Sequence, residues 1–213
     1  MSSGRRPSRP APTPDGDLLR EAACSYVEAY GAIITLHEIA RDRARAAVLR
    51  RLDEYTGALG VPLEAGRVLP YQGPKPADWD GTWASLGCQV KKLGPPRCWL
   101  YHTLDWEPDG AGGWRVAVNA SFWFRAADEA ARMHAALMAR ASALRDGVAL
   151  WFEGSEVGAA RPLAPADTPA FDVHLDALLG QWLDLLRAVG GLGAMSATEP
   201  RAGSQQAGRR RAR

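Results

Sequence analysis

Cysteine is scarce in this chain, with Cys24, Cys88 and Cys98 the only three in 213 residues, and no two of them stand at metal-ligand spacing. An odd, widely spaced set excludes a disulfide-stapled scaffold and a thiolate zinc site, and leads us to expect reduced, buried thiols in a cytoplasmic protein. Long apolar runs are missing as well. No stretch of 18 apolar residues occurs, so no membrane-spanning helix is expected. The opening Met1-Ser-Ser-Gly-Arg-Arg-Pro7 has no apolar segment behind its charges and does not read as a signal peptide. The central part of the chain also lacks a basic excess. Arg5, Arg6 and Arg9 against Asp15 give residues 1–15 a net +2, and residues 195–213 carry five Arg against Glu199. The remaining 18 basic and 22 acidic residues leave the middle mildly acidic, which argues against a nucleic-acid-reading core.

What is present is a foldable composition: 46% hydrophobic residues, 8% aromatic and eight Trp. Such a chain can bury a proper core, with most indoles partly covered and their N–H groups partnered. Three blocks follow. Residues 1–15 and 195–213, rich in Ser, Pro, Gly and Arg, are expected to be disordered basic tails, and 16–194 a single α+β domain.

The most informative stretch runs from Trp83 to Arg125 and predicts three antiparallel strands. Leu93-Gly-Pro-Pro-Arg97 centres one hairpin near Pro95, so Val90 faces Leu100, Cys88 faces His102 and Leu86 faces Leu104. A second turn centred near Gly110 sets Leu104 against Val116, His102 against Val118, Leu100 against Ala120 and Asp105 against Arg115. One face is then apolar, and a slip of one residue would scramble it. The other face carries Gln89, Lys91, Trp99, Tyr101, Thr103, Asp105, Arg115, Asn119 and Ser121.

Leu19, Ala23, Tyr26, Tyr30, Ile33, His37 and Ala40 recur at steps of four and three, as do Val48, Leu52, Tyr55 and Leu59. With no turn signal near Arg41, residues 17–59 are expected to form one long helix within a helical segment 16–60. That stripe is longer than a small sheet can cover, which fits either pairing of part of it with a second chain or a helix wrapped wholly on its own core. Residues 61–82, rich in Pro and Gly, read as a connector. Within 83–194, the sheet is followed by a helix over 126–145 facing Met133, Leu137 and Leu144 inward. A strand at Val148–Phe152 and another at Glu156–Leu163 come next. A final helix is capped by Thr168-Pro169, with Phe171, Leu175, Leu178, Trp182, Leu186 and Val189 on its apolar side, and is stopped at Gly190-Gly191.

The order is α-βββ-α-β(β)-α, an α+β layer of helices on an antiparallel sheet. Over residues 83–190 this order resembles the small dimeric chaperones of type III secretion and their YbjN-like relatives. The strand, Pro-Leu-Ala-Pro segment and amphipathic helix from Ala159 to Val189 carry the likeness. The resemblance implies a homodimer that binds partner polypeptides. The same order also resembles the core of PD-(D/E)XK nucleases, which would implicate Asp105, Glu107 and Lys91 around Mg²⁺. The third strand, however, offers neither the carboxylate nor the lysine that such a site needs.

Other constellations are incomplete. His37-Glu38-Ile-Ala-Arg41 has Arg where a zinc protease needs its second His. His102 beside Cys88 sits on the apolar face with no orienting Asn or Asp, so it reads as a core histidine. Gly110–Gly113 lacks the helix and Lys of a phosphate loop, and Asn119-Ala-Ser121 is a chance glycosylation match on a strand. Arg209, Arg210, Arg211 and Arg213 offer weak, sequence-independent, salt-sensitive contact to nucleic acid. The strongest functional candidate is the mixed aromatic and polar sheet face. Gln89, Lys91, Trp99, Tyr101, Thr103, Asn119 and Ser121 are expected to contact a protein or peptide partner, with no cofactor, no metal and no catalytic set.

Overall fold

The computed structural model describes residues 14–73, 84–108 and 113–196. Apart from their inner ends, both basic tails, with Arg209, Arg210, Arg211 and Arg213, lie outside these. The chain is α+β, with helix α1 (Pro14–Arg50) beginning on a proline, whose missing N–H costs nothing in a first turn. The backbone separates into two compact units, Met1–Ile39 and Ala40–Arg213. In the first, Leu18, Leu19, Tyr26, Val27 and Ile34 are exposed, as is Cys24, which corrects the expectation that every thiol is buried.

In the second unit, helix continues past Arg41 but not to Leu59 in one piece. At Arg51 the backbone turns to φ −110°, ψ 21°, and a separate helix α2 (Leu52–Leu59) follows. The Arg51 N–H reaches Val48 O at 3.1 Å, the three-residue spacing of a tighter turn. Its guanidinium clamps Asp176 with two bonds of 3.0 and 2.9 Å. The break places Tyr55, Ala58 and Leu59 in the core.

The sheet has six strands: β1 (Val68–Gly73), β2 (Ala84–Leu93), β3 (Cys98–Pro108), β4 (Trp114–Phe124), β5 (Ala149–Glu153) and β6 (Glu156–Leu163). They pair antiparallel in the order β1-β2-β3-β4-β6-β5. The first hairpin has the register its turn predicts, Val90 to Leu100, Cys88 to His102 and Leu86 to Leu104, with an irregularity between Val90 and Leu93. The second is displaced by two residues. Leu104 faces Val118, His102 faces Ala120, and Arg115 stands opposite Glu107 rather than Asp105. Moving a turn centre by one residue moves the pairing by two, so every side chain keeps its face while its neighbours change.

Strand β1 corrects the expected connector over 61–82. Pro70 hides it in the sequence, yet an edge strand tolerates a residue with no N–H to donate. Residues 74–83 of that connector lie outside the described residues.

Helix α3 (Ala127–Met138) is shorter than 126–145, and α4 (Phe171–Ala188) starts three residues after Thr168, because residues 165–170 form a 3₁₀ stretch around Pro169. A short α5 begins at Gly191 (Gly191–Ser196), with Gly190 and Gly191 both at positive φ. The helices cover one side of the sheet: Trp182 of α4 packs 5.6 Å from Phe122, Tyr55 of α2 bonds His102, and His134 of α3 stacks 5.0 Å from Phe152. Among the described residues no helix is long and apolar enough to cross a membrane.

Candidate functional site

The opposite face of the sheet is concave, and its curvature begins with residue size. On the side away from the helices stand Ala117 of β4, Gly158 and Ala160 of β6 and Ala149 of β5, all small. Around them rise Tyr71, Tyr101, Trp123 and Trp151, which with Ala117, Ala149 and Ala160 line a pocket of about 620 Å³. That volume falls within the range of ligand sites.

Gly158 is central to this shape. A Cβ there would stand 2.7 Å from the Ser121 Cβ and 2.8 Å from both Ala120 O and the Trp151 indole. Without it, Trp151 can lie across β6 and donate its indole N–H to Asn119 Oδ1 at 3.0 Å. Edge-to-face ring pairs extend the aromatic surface, Tyr71 with Tyr101 at 4.9 Å and Trp99 with Trp123 at 4.8 Å.

The floor is polar and closely covered. Ser85, Thr103, Asn119 and Ser121 are each less than a tenth exposed. Ser121 donates to Glu156 Oε1 at 2.7 Å. Asp105 is half-buried, but its Oδ1 is fully shielded and has no hydrogen-bond partner, nor does Thr103 Oγ1. Burial pushes the Asp105 carboxyl up to about 6; polar groups of Ser85 and Thr103 oppose the rise, and the nearby Glu156 charge adds to it. Burial likewise raises Glu156 against the pull of Ser121, with Glu153 adding to the rise. It pushes Tyr101 up to about 12, helped by Tyr71 and Glu156. These groups sense one another's charge across the pocket, and a buried acid held close to neutrality is a recurrent mark of binding and catalytic sites.

Of the residues expected from sequence, the structure brings Tyr101, Thr103, Asn119 and Ser121 into this pocket. Trp99 lies one ring beyond it, against Trp123. Gln89 donates to Pro70 O at 3.2 Å, and Lys91 is exposed further along β2. Sequence reasoning missed Tyr71, Trp123, Trp151, Glu153 and Glu156. Alternation alone carried the signal for Trp123, two residues beyond Ser121. The others required knowing that β1, β5 and β6 extend this sheet.

Asp105 and Lys91 are not brought together. Asp105 pairs with Ser85, six residues before Lys91, which is about 20 Å along a strand. Glu107 pairs with Arg115 in the ladder. Among the described residues no group of three His, Cys, Asp or Glu could hold a metal ion. The Cys88–His102 pair is equally unsuited to chemistry. Burial lowers the imidazole to about 3 and raises the thiol to about 12, and His102 Nε2 is engaged by Tyr55 Oη at 2.7 Å. Comparison of the chain with protein families, curated proteins and solved structures found no match.

Proposed function

We propose that this chain is a non-enzymatic polypeptide-binding protein, an adaptor or chaperone-like factor, that receives an extended segment of a partner on the concave sheet face. One observation carries this reading. A ligand-sized pocket walled by Tyr and Trp has, at its floor, polar atoms that make no bond within the protein. Rigid aromatic walls offer large contact area at small entropic cost, and a half-buried carboxylate that the protein leaves incompletely bonded rewards a ligand that supplies a donor. The likeness to secretion chaperones in element order points the same way. Exposed Leu19, Tyr26, Val27 and Ile34 fall within a ~100° arc of α1 at 100° per residue, and support pairing of two copies through that helix. Buried Cys88 and Cys98, both unpaired, suit a reducing cytoplasmic setting.

The test is affinity capture from the native host with the full chain and with Tyr101→Ala and Trp123→Ala. Loss of an aromatic anchor at the centre of an interface costs ~2 kcal/mol or more, about thirtyfold in affinity. A partner held by the wild type should therefore be lost by both variants while their far-ultraviolet circular dichroism stays native. Equal retention would place the binding surface elsewhere.

A further inference from the structure

We infer that the group this pocket selects is a cationic side chain, an arginine guanidinium or lysine ammonium of the bound segment, held against Asp105 and Glu156 by the aromatic walls. This rests on the polypeptide-binding reading above and adds the chemistry that the site recognises.

Three independent features converge. The first is charge: Asp105, Glu153 and Glu156 line the pocket against Arg115, the one cationic side chain among its described lining residues. The second is the unfinished hydrogen bonding of the floor. Asp105 Oδ1 and Thr103 Oγ1, the latter on a residue only 1% exposed, are shielded from water without partners. The half-buried Asp105 carboxylate, left incompletely bonded by the protein, gains most from a charged N–H donor at its accessible side, because charge-assisted bonds are about twice as strong as neutral ones. The third is the wall material. Tyr101, Trp123 and Trp151 present ring faces and edges around an acidic floor, and cations are drawn to the negative faces of such rings. An anion would meet repulsion from three carboxylates. A neutral apolar group would leave the floor unpaired.

The groups around Asp105 fix the expected pH response. Tyr71 faces it from β1, Tyr101 from its own strand, Arg115 from β4, Glu153 from β5 and Glu156 from β6. Both tyrosines are raised above their ordinary range and stay neutral between pH 5 and 7.5, where Asp105 changes charge. The ionised form of Asp105 binds the cation, so binding strengthens as pH rises through about 6 and is lost below it.

The experiment uses the full chain and four degenerate decapeptide pools whose central residue is fixed as Arg, Lys, citrulline or Glu, with spermidine as a small-molecule cation. Titrations are followed by tryptophan fluorescence and calorimetry. The expected result is a preference of at least about tenfold for the Arg or Lys pool over citrulline, which has the shape of Arg without its charge. That preference should shrink about tenfold between pH 7.5 and pH 5.0, as an acid titrating near 6 becomes protonated. Glu156→Gln should reduce it at every pH. Asp105→Asn should reduce it and flatten its pH dependence. Glu156 is half-buried at the first residue of β6, so its variant carries the test if Asp105→Asn fails to fold.

Equal binding of the citrulline and Arg pools would overturn the cationic inference and leave polypeptide binding intact. Saturable binding of spermidine, weakened by Glu156→Gln, with no pool binding, would keep the cationic site and remove the peptide reading. No saturation by any probe at millimolar concentration would overturn both.

Discussion

Asp105 shows how a single residue records the competing demands on this fold. Placing a carboxylate on the floor of a sheet face removes it from water, and the protein compensates only in part, with Ser85, Thr103 and Asn119 nearby and a like charge on Glu156 working against it. The sign of the consequence follows from linkage. Its carboxyl titrates near 6 in the folded chain against an ordinary 3.8, so the native state binds the proton more tightly than the unfolded one. Stability therefore falls as pH rises from about 4 through 6 and is flat beyond. The penalty at neutral pH is on the order of 1–3 kcal/mol, the upper end being the full shift at 1.36 kcal/mol per unit. Asp105→Asn should accordingly stabilise the chain by that amount in urea denaturation at pH 7.5, with the gain vanishing near pH 3.5. A variant equally stable or less stable at pH 7.5 would show that the carboxylate is well solvated, and would weaken the case for a binding floor. Glu156 follows the same sign through its own burial, so the pair gives the acidic pocket its pH sensitivity.

Among the elements, the β4-β6-β5 side of the sheet makes the pocket. Gly158 is the position where element geometry and site geometry meet: its missing side chain is the space that Trp151 occupies on its way to Asn119. Gly158→Ala should push a methyl group against the Ser121 Cβ and the Trp151 ring, an overpacking change costing ~1–3 kcal/mol. Thermal unfolding checks the cost, and the near-ultraviolet dichroism of Trp151 should change with it. Unchanged values in both would mean that the indole has room to move. The same strands show where sequence was legible. Turn chemistry and alternation gave the right face from Leu86 to Val90 of β2 and along the described side chains of β3 and β4, and most of the pocket floor with it, because parity survives a register error of two. Alternation fails past Val90, where an irregularity buries Leu93 opposite Cys98. The neighbours were not legible in that way: Asp105 stands beside Ala117, and Arg115 beside Glu107. The walls were still harder to read. Pro70 concealed β1, and the orientation of Trp151 and Glu156 depends on β6 pairing with β4 across an intervening helix, a non-local contact that no local pattern encodes. The helix break at Arg51 was hidden for a related reason, since its clamp, Asp176, lies far along the chain.

At the scale of the whole molecule, the two described units differ in what they do with apolar residues. In Ala40–Arg213, Ala40, Ala44, Ala47 and Val48 of α1 are buried, together with the leucines of α4. In Met1–Ile39, Leu18 and Leu19 are 65% and 72% exposed, and Tyr26 and Val27 are 70% and 68% exposed. Scattered exposed apolar residues are ordinary, but a stripe along one helix is the signature of a surface that packs on another chain. A second copy is the natural partner, because a twofold pairing places the same stripe on both sides of the interface. If so, size-exclusion chromatography with light scattering at tens of micromolar should give a mass twice the 23.0 kDa of one chain. Replacing Leu19 and Ile34 together by Glu should convert it to the monomer, since two buried like charges on each copy outweigh the area they replace. Peptide binding at the sheet face should survive that change, because every residue of the pocket belongs to the second unit. A wild-type monomer at those concentrations would remove self-pairing and leave the stripe to a different partner. A dimer that persists in the double variant would place the contact elsewhere, with the exposed edge strands β1 and β5 the next surfaces to alter.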